Sequence, residues 1–219
     1  MLESVLAAPI DGLIFEAVVL AGSGGVIFWS WFSSSRQWIR RKLARLPRSS
    51  LGVLQENTLA RVIGTVKRLE HTVVAPISGE TCVFYKIQVD FKGPAGWKTV
   101  IQEAHGTPFL IEDDTAYAII DPLAANITTH HLRFFPADRP DPFLDRFLAR
   151  HRIRHKHALR CHEMRIELGA TITVLGSGIG ERDPLAAQPE GYRAERTTCL
   201  RFSGSKKYPL VISDDPSLR

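Results

Sequence analysis

The stretch TCVFYKIQVDFKGPAGWKTVIQE, residues 81–103, contains the pattern that decides the fold. Two runs within it, Thr81–Phe91 and Trp97–Glu103, are rich in the β-branched and aromatic residues that favour strands. The residues between them, Lys-Gly-Pro-Ala-Gly at 92–96, favour a turn because glycine and proline punctuate regular structure. A short turn makes the two predicted strands antiparallel neighbours.

Runs of the same composition continue on both sides of this stretch. They are Leu59–Leu69, Pro108–Ile111, Tyr117–Ile120, Ala125–Thr129, Ala158–Leu168, Thr171–Leu175, Arg196–Phe202 and Pro209–Ile212. Closely spaced strands predict a mainly β domain, an antiparallel β-barrel or sandwich. Within residues 141–153, Phe143, Leu144, Phe147 and Leu148 follow helical spacing instead, which predicts one inserted amphipathic helix.

A second feature is the apolar run GLIFEAVVLAGSGGVIFWSWF, residues 12–32. At about 1.5 Å per residue, a helix of this length crosses a hydrocarbon core of roughly 30 Å, so we expect a single N-terminal transmembrane helix. A cleaved signal peptide is one alternative, but its basic residues would precede the apolar core. A buried helix of a soluble domain is the other alternative to a transmembrane helix. Trp29, Trp31 and Trp38 gather at one end, which favours a membrane interface.

The residues after the apolar run are strongly basic. Six cations occur there with no acid among them: Arg36, Arg40, Arg41, Lys42, Arg45 and Arg48. By the positive-inside tendency, the N-terminus lies outside and the rest of the chain is cytoplasmic. The cations also suit anionic lipid headgroups. Since they exceed the whole net charge of +5, a pI of 9.3 does not indicate a general nucleic-acid-binding protein.

Small residues also recur within the predicted span. Ala17, Ala21 and Gly25 stand four apart, a spacing that lets two transmembrane helices pack closely as a homo-oligomer. Chance composition is the alternative explanation. The chain thus divides into a flank at 1–11, the span at 12–32, a basic linker at 33–58, a β domain at 59–213 with a helical basic insertion at 135–157, and a tail at 214–219.

Several short motifs of the β domain are similar to those of a known family. Their residues, in chain order, are Pro76, Gly79, Cys82, Tyr85, Trp97, Phe109, Asp113, Pro122, Arg160, Glu163, Gly169 and Gly176. In order and spacing, they resemble the GIDE domain of the mitochondrial ubiquitin ligase activator family. In that family the domain sits between transmembrane segments and precedes a RING finger, so the resemblance implies a β domain of a membrane protein.

The departures from the family limit what the resemblance implies. A RING needs eight Cys or His ligands. The 219 residues hold only three cysteines, and neither Cys nor His occurs after residue 213. No second apolar span follows residue 33, and Ala116 stands where the family has glycine. We therefore expect no ubiquitin transfer by this chain alone.

The motif residues fit roles that keep the fold. Pro76 and Gly79 are expected to form a turn, and Gly169 and Gly176 to bracket a strand. The aromatic side chains of Tyr85, Trp97 and Phe109 offer large apolar faces, whereas Cys82 and Pro122 suggest no chemistry of their own.

Two acidic motifs have both a functional and a structural interpretation. Glu163 is either a catalytic carboxylate or, as we favour, the partner of Arg160 in an ion pair. Asp113 and Asp114 could bind a cation, although adjacent acids are common in turns.

The segment HRIRHKHALRCH, residues 151–162, is the most conspicuous local chemistry. His155, His157, Cys161 and His162 suggest a metal site, but the intervening cations oppose it, so we predict no metal or other cofactor. The predicted helix and this segment together form a basic patch. It is either a solvated surface or a contact for anionic lipid, acidic protein or, least favoured, nucleic acid. Its candidate contacts are Phe143, Phe147, Arg150, Arg152, Arg154 and Lys156.

Three functions from different classes follow. The favoured one is a membrane-tethered, non-catalytic module that binds an unidentified protein partner or senses the membrane surface. The second is a ubiquitin-ligase-like role that depends on a RING in another chain. The third is an enzyme with its site at the barrel mouth near Asp113, Glu163 and the histidines.

Overall fold

A computed structural model describes residues 46–129, 132–136, 141–153, 159–185, 198–204 and 209–218. The predicted span at 12–32, the possible packing residues Ala17, Ala21 and Gly25, and the cations Arg36, Arg40, Arg41, Lys42 and Arg45 lie outside these residues, as do Arg154 and Lys156. In the part of the chain that is described, no helix is long and apolar enough to cross a membrane.

The described chain is mainly β, with one α-helix. The strands are β1 (Leu59–Arg68), β2 (Val73–Val74), β3 (Thr81–Cys82), β4 (Phe84–Gly93), β5 (Gly96–Gly106), β6 (Phe109–Glu112), β7 (Tyr117–Ile120), β8 (Asn126–Thr128), β9 (Leu132–Pro136), β10 (Leu159–Ile166), β11 (Thr171–Arg182), β12 (Thr198–Phe202) and β13 (Val211–Ser213). The helix α1 spans Pro142–Arg150.

Five strands close into a barrel. Their order is β1, β6, β7, β12 and β11, and β11 pairs back with β1 from Leu59–Ser177 to Thr65–Thr171. Alternating side chains point inward and form an apolar core that includes Val62, Phe109 and Phe202. Strands β13 and β8 extend the sheet beyond β11. Closure pairs the strand edges with each other instead of leaving them to solvent.

A second sheet has the order β5-β4-β10-β9 and packs α1 against one face. Leu144, Phe147 and Leu148 on α1 pack there with Ile87 and Val89 of β4. Asp141 caps the helix, since its carboxylate accepts hydrogen bonds from the backbone N–H groups of residues 143 and 144, and Pro142 occupies the first helical position. At one end of the sheet, other side chains reach the barrel core; they are Phe84, Met164 and Ile166.

The structure confirms the predicted mainly β fold, the barrel and the single helix. The expectation of wholly antiparallel pairing is wrong, because β12 pairs in parallel with β7 and β13 in parallel with β8. These partners are far apart in the sequence, so no short turn sets their direction. Gly176 lies within β11 rather than at a strand end.

The segment before β1 is bound to the barrel. The N–H of Ser49 donates to the carbonyl of Arg61 at 2.8 Å, and the N–H of Leu51 donates to Asp113 Oδ2 at 2.8 Å. Leu46 packs with residues of β11 and β13. Residues 46–51 are therefore part of the folded domain.

Candidate functional site

The candidate site lies on the face of the four-stranded sheet opposite α1, which we call the open face. It is formed by Gln88, Asp90, Trp97, Thr99, Phe134, Arg160 and His162. Side chains alternate along a strand, so Arg160 and His162 of β10 point to one face while Cys161 and Glu163 point to the other. Trp97 is 40 % exposed and Phe134 is 54 % exposed, although both are large aromatic residues.

Asp90 is the central group of the open face and is only 6 % exposed. Its Oδ1 accepts hydrogen bonds from Gln88 Nε2 at 2.9 Å and from Thr99 Oγ1 at 2.8 Å. Its Oδ2 lies 3.8 Å from both Arg160 Nη2 and His162 Nε2, beyond hydrogen-bond distance. The carboxylate is thus held from one side, and the Arg160 guanidinium and the His162 imidazole approach the other.

Each of these two side chains rests against an aromatic ring. The Arg160 guanidinium lies 3.7 Å from the centroid of the Trp97 ring, a cation–π contact. His162 and Phe134 have ring centroids 5.5 Å apart and tilted by 60°. Arg160 Nε and His162 Nδ1 are buried, and neither has a hydrogen-bond partner among the described residues.

The electrostatics of the face favour a neutral imidazole. Burial lowers the pKa of His162, with nearby Asp90 opposing the shift and Arg160 adding to it. The neutral form of the ring is therefore favoured. The open face presents one accessible guanidinium, a neutral histidine and two aromatic rings, a combination suited to recognition.

Nucleophilic chemistry has little support in the described chain. The three cysteines are buried, and burial raises the pKa of Cys82 and of Cys161 to about 11 each. Buried thiols of this kind are inert. No cluster of three metal-ligating side chains occurs among the residues described, and the predicted ligands His155 and His157 lie outside them.

The expected Arg160–Glu163 ion pair is not formed, because the two side chains point to opposite faces of β10. Glu163 pairs instead with Arg165 at 3.0 Å and accepts hydrogen bonds from the N–H groups of Ile77 at 3.0 Å and Ser78 at 3.2 Å. Arg165 also contacts the carboxylates of residues 80 and 167. This buried network fastens the β2–β3 turn to the sheet.

The predicted contacts on α1 separate into different environments. Phe147 is 2 % exposed and belongs to the core, so its prediction as a contact for a partner or lipid is wrong. Arg150 is paired with Glu103 at 2.8 Å, in a cluster completed by Tyr85 and His151. Phe143 is 48 % exposed, but its ring also packs over Gly79.

Arg152 is exposed and has a positive φ of 59° directly after α1. This backbone conformation ends the helix. The role of Arg152 as a contact stays a prediction.

Most motif residues serve the fold. Gly79 has a φ of 71° in the turn after Pro76, and a Cβ there would lie 2.8 Å from the Phe143 ring. Gly169 also has a positive φ, 78°, whereas Gly176 is needed because a Cβ would lie 2.9 Å from Leu210. Three other motif residues, Cys82, Phe109 and Pro122, are buried. Pro122 starts a 3-10 turn capped by Asp121.

The end of the barrel near Asp113 carries a cleft of about 310 Å³. Its lining includes Arg48, Glu112, Asp113 and Asp114, but neither Glu163 nor a histidine. Asp113 itself is occupied, because it accepts hydrogen bonds from the backbone of Leu51 and from residues 115 and 116. The groups expected at a barrel-mouth active site are therefore not brought together.

Comparison with known proteins finds no match to a family model, a curated protein or a solved structure. The GIDE resemblance therefore stays a prediction. The open face was missed by the sequence reasoning, which treated Trp97 as a fold residue and Arg160 as the partner of Glu163. The signal that could have found it is the period of two along β10, which separates Arg160 and His162 from Glu163.

Proposed function

We propose that this protein is a single-pass membrane-anchored, non-catalytic interaction module with its β domain in the cytoplasm. The anchor is the apolar segment 12–32, and the basic residues that follow it set the orientation by the positive-inside tendency. The GIDE resemblance supports a β domain carried by a membrane protein. The open face is the surface that we assign to a protein partner.

The observation that carries the proposal is the short distance along the chain between the apolar run and the folded domain. Only residues 33–45 separate them, and Leu46–Leu51 are already bound to the barrel. A segment of that length spans at most about 45 Å when fully extended. A domain tethered this closely acts near the bilayer surface.

The open face supports an interaction role over a catalytic one. Arg160, held over Trp97, and the exposed Phe134 are residue types enriched in protein interfaces. A rigid sheet holds them in position, so binding requires little ordering of the domain. The acids of the nearby networks are engaged in structural contacts, as Glu163 and Glu103 illustrate.

Orientation and partner are tested together in cells with a proximity-labelling enzyme fused after Arg219. We expect the tag to be cytoplasmic by protease protection, the protein to resist extraction by alkaline carbonate, and a reproducible set of neighbours to be labelled. Arg160→Glu on the open face should remove specific neighbours. The matched control is Arg201→Glu, on the barrel surface and away from the open face.

Each readout can contradict one part of the proposal. Extraction by carbonate would reject the anchor, and a tag on the other side of the membrane would reject the orientation. Neighbours that are the same for Arg160→Glu, Arg201→Glu and the unsubstituted chain would reject the open face as the docking surface.

A further inference from the structure

We propose that the tip of the β4–β5 hairpin, residues 91–98, is a second membrane contact that binds the surface of an anionic lipid bilayer. This inference rests on the proposed function, because the anchor keeps the domain near a bilayer. It places the membrane contact not on α1, where the sequence analysis allowed one among several alternatives, but on a part of the fold that the sequence analysis treated as a turn.

The tip is the end of the hairpin, where the two strands pair only with each other among the described residues. The described pairing of β10 with β4 ends at Phe91, opposite Leu159, whereas β4 and β5 remain paired as far as Gly93 and Gly96. Pro94 and Ala95 form the two-residue turn, and Gly96 adopts a φ of 104° that suits glycine. All residues of the tip except Gly93 are exposed.

The side chains of the tip form two matched pairs. Phe91 lies opposite Lys98 and Trp97 lies opposite Lys92, so each face of the hairpin carries one aromatic residue beside one lysine. Phe91 and Trp97 are each 40 % exposed. This is the residue chemistry of a membrane interface, where aromatic rings sit at headgroup depth and lysines keep their ammonium groups in water.

The charge of the tip complements an anionic surface. Between Phe91 and Gln102 the sequence contains Lys92 and Lys98 and no acidic residue. Lysine near anionic lipid is attracted to the negative surface potential of the cytoplasmic leaflet. Phe91 and Lys98 lie on the face opposite the open face, so a protein docked on the open face would not cover them. A bilayer meets both faces of the turn and is therefore the better occupant.

A bulge shapes the hairpin behind the tip. Val100 has no partner in β4, because Val89 pairs with Ile101 and Asp90 pairs with Thr99. Bulges increase local twist and turn an edge strand away from a flat sheet, which protects β5 from pairing with other chains. Val100 is 46 % exposed and adds apolar surface next to the lysines.

The test uses the full chain reconstituted into vesicles of phosphatidylcholine with or without phosphatidylglycerol. Ala95→Cys at the turn is labelled with an environment-sensitive fluorophore, and the unsubstituted chain shows the background, since all three native cysteines are buried. Leu123→Cys, an exposed position on the 3-10 turn after β7, is the matched control. Flotation of the vesicles reports the anchor independently.

We expect a blue shift and an intensity gain for the label at residue 95 in the anionic vesicles, but not for the label at residue 123. In the Lys92→Gln/Lys98→Gln variant, the ratio of membrane-bound to free tip should fall by roughly 30-fold, the equivalent of the surface attraction of two cations. Far-UV circular dichroism checks that this variant is folded.

The outcomes separate the two proposals. If the chain floats with the vesicles while the label at residue 95 stays in water, the hairpin contact is overturned and the anchor stands. If the chain does not float, the anchor fails, and binding of the soluble chain to added anionic vesicles then decides the hairpin contact. Equal fluorescence changes in both lipid compositions, or at both labelled positions, would also overturn the hairpin contact.

Discussion

The five-stranded barrel buries its apolar residues by closing on itself, whereas the four-stranded sheet buries only one face and leaves the other for contact. The barrel core is apolar, with Phe109 and Phe202 fully buried. The sheet has its own apolar core against α1, but it also buries charged groups on its strands, among them Asp90, Glu163 and Arg165. Among the described residues, the buried acids of the barrel part, at positions 183, 214 and 215, lie just beyond strand ends instead. The difference teaches that both parts are held by apolar packing, and that the sheet depends in addition on charge pairs between its strands and turns.

The strongest way to break this comparison is to remove a buried charge of the sheet. Glu163→Ala leaves two backbone N–H groups without an acceptor and removes one of the three carboxylates that contact Arg165. We expect a loss of about 2–5 kcal/mol in the free energy of unfolding, since each buried donor left without a partner costs about 1–3 kcal/mol. Thermal unfolding of the full chain in detergent, followed by circular dichroism, measures it.

The matched control for that variant is Arg201→Ala on the barrel, where the partner Glu181 is exposed. An exposed pair contributes about 0–1 kcal/mol. A similar loss in both variants would show that the sheet network contributes no more than a surface ion pair.

The barrel has its own weak point at Gly64 in β1. A Cβ there would lie 2.5 Å from the carbonyl oxygen of Glu112 on the neighbouring strand. We expect Gly64→Ala to cost about 1–3 kcal/mol, because the β1–β6 pairing must shift. Gly93→Ala in the hairpin is the control, since its nearest contact is 3.7 Å. Equal melting temperatures for the two variants would contradict tight closure at this point.

The open face should make the domain sensitive to acid. Burial lowers the pKa of His162 in the folded state, so the unfolded chain binds the proton more readily. The neutral His162 ring contributes fully to the free energy of unfolding above its unfolded-state pKa of about 6.5. This contribution falls as the pH drops below that value toward the lower pKa of the folded state. In the His162→Gln variant, the melting temperature should depend less on pH over that window.

His105→Gln is the control for the acid effect, because His105 is an exposed histidine on strand β5 of the same sheet. Melting curves between pH 7 and pH 5 distinguish the two variants. Parallel curves for His162→Gln and the unsubstituted protein would show that burial of this ring does not couple folding to pH.

The smallest expected effect concerns the aromatic edge of the open face. Trp97→Leu removes the cation–π contact with Arg160 and should cost about 0.5–1 kcal/mol. A double-mutant cycle with Arg160→Met isolates the pair from the rest of the sheet. A coupling energy near zero would mean that the ring positions Arg160 without stabilising it.

Several parts of this fold follow from local patterns in the sequence. The hairpin between Thr81 and Glu103 was predicted because β-branched runs flank a Gly-Pro turn, and α1 because its apolar residues recur at helical spacing. The turn at Gly79 was also predicted, since glycine tolerates a positive φ. The apolar run at 12–32 predicts a membrane anchor from length and hydropathy alone.

Other parts could not be predicted because they depend on partners that are distant in the sequence. The parallel pairing of β12 with β7 is one example, since no turn links them. The burial of Phe147 is another, because an amphipathic pattern shows that a helix has an apolar face but not whether protein or lipid covers it. The partner of Glu163 was predicted wrongly for a similar reason, as sequence proximity to Arg160 says little about a strand whose faces alternate.

The sequence by itself determined the strand content, the single helix of the described domain and the turn residues, because these respond to neighbours within a few positions. Only the tertiary structure decided which strands close the barrel, where Glu163 finds its cation, and that Arg160, Trp97, Phe134 and His162 share one face. Packing and hydrogen bonding between distant segments set those choices, and their free energies are not encoded in any local run of residues.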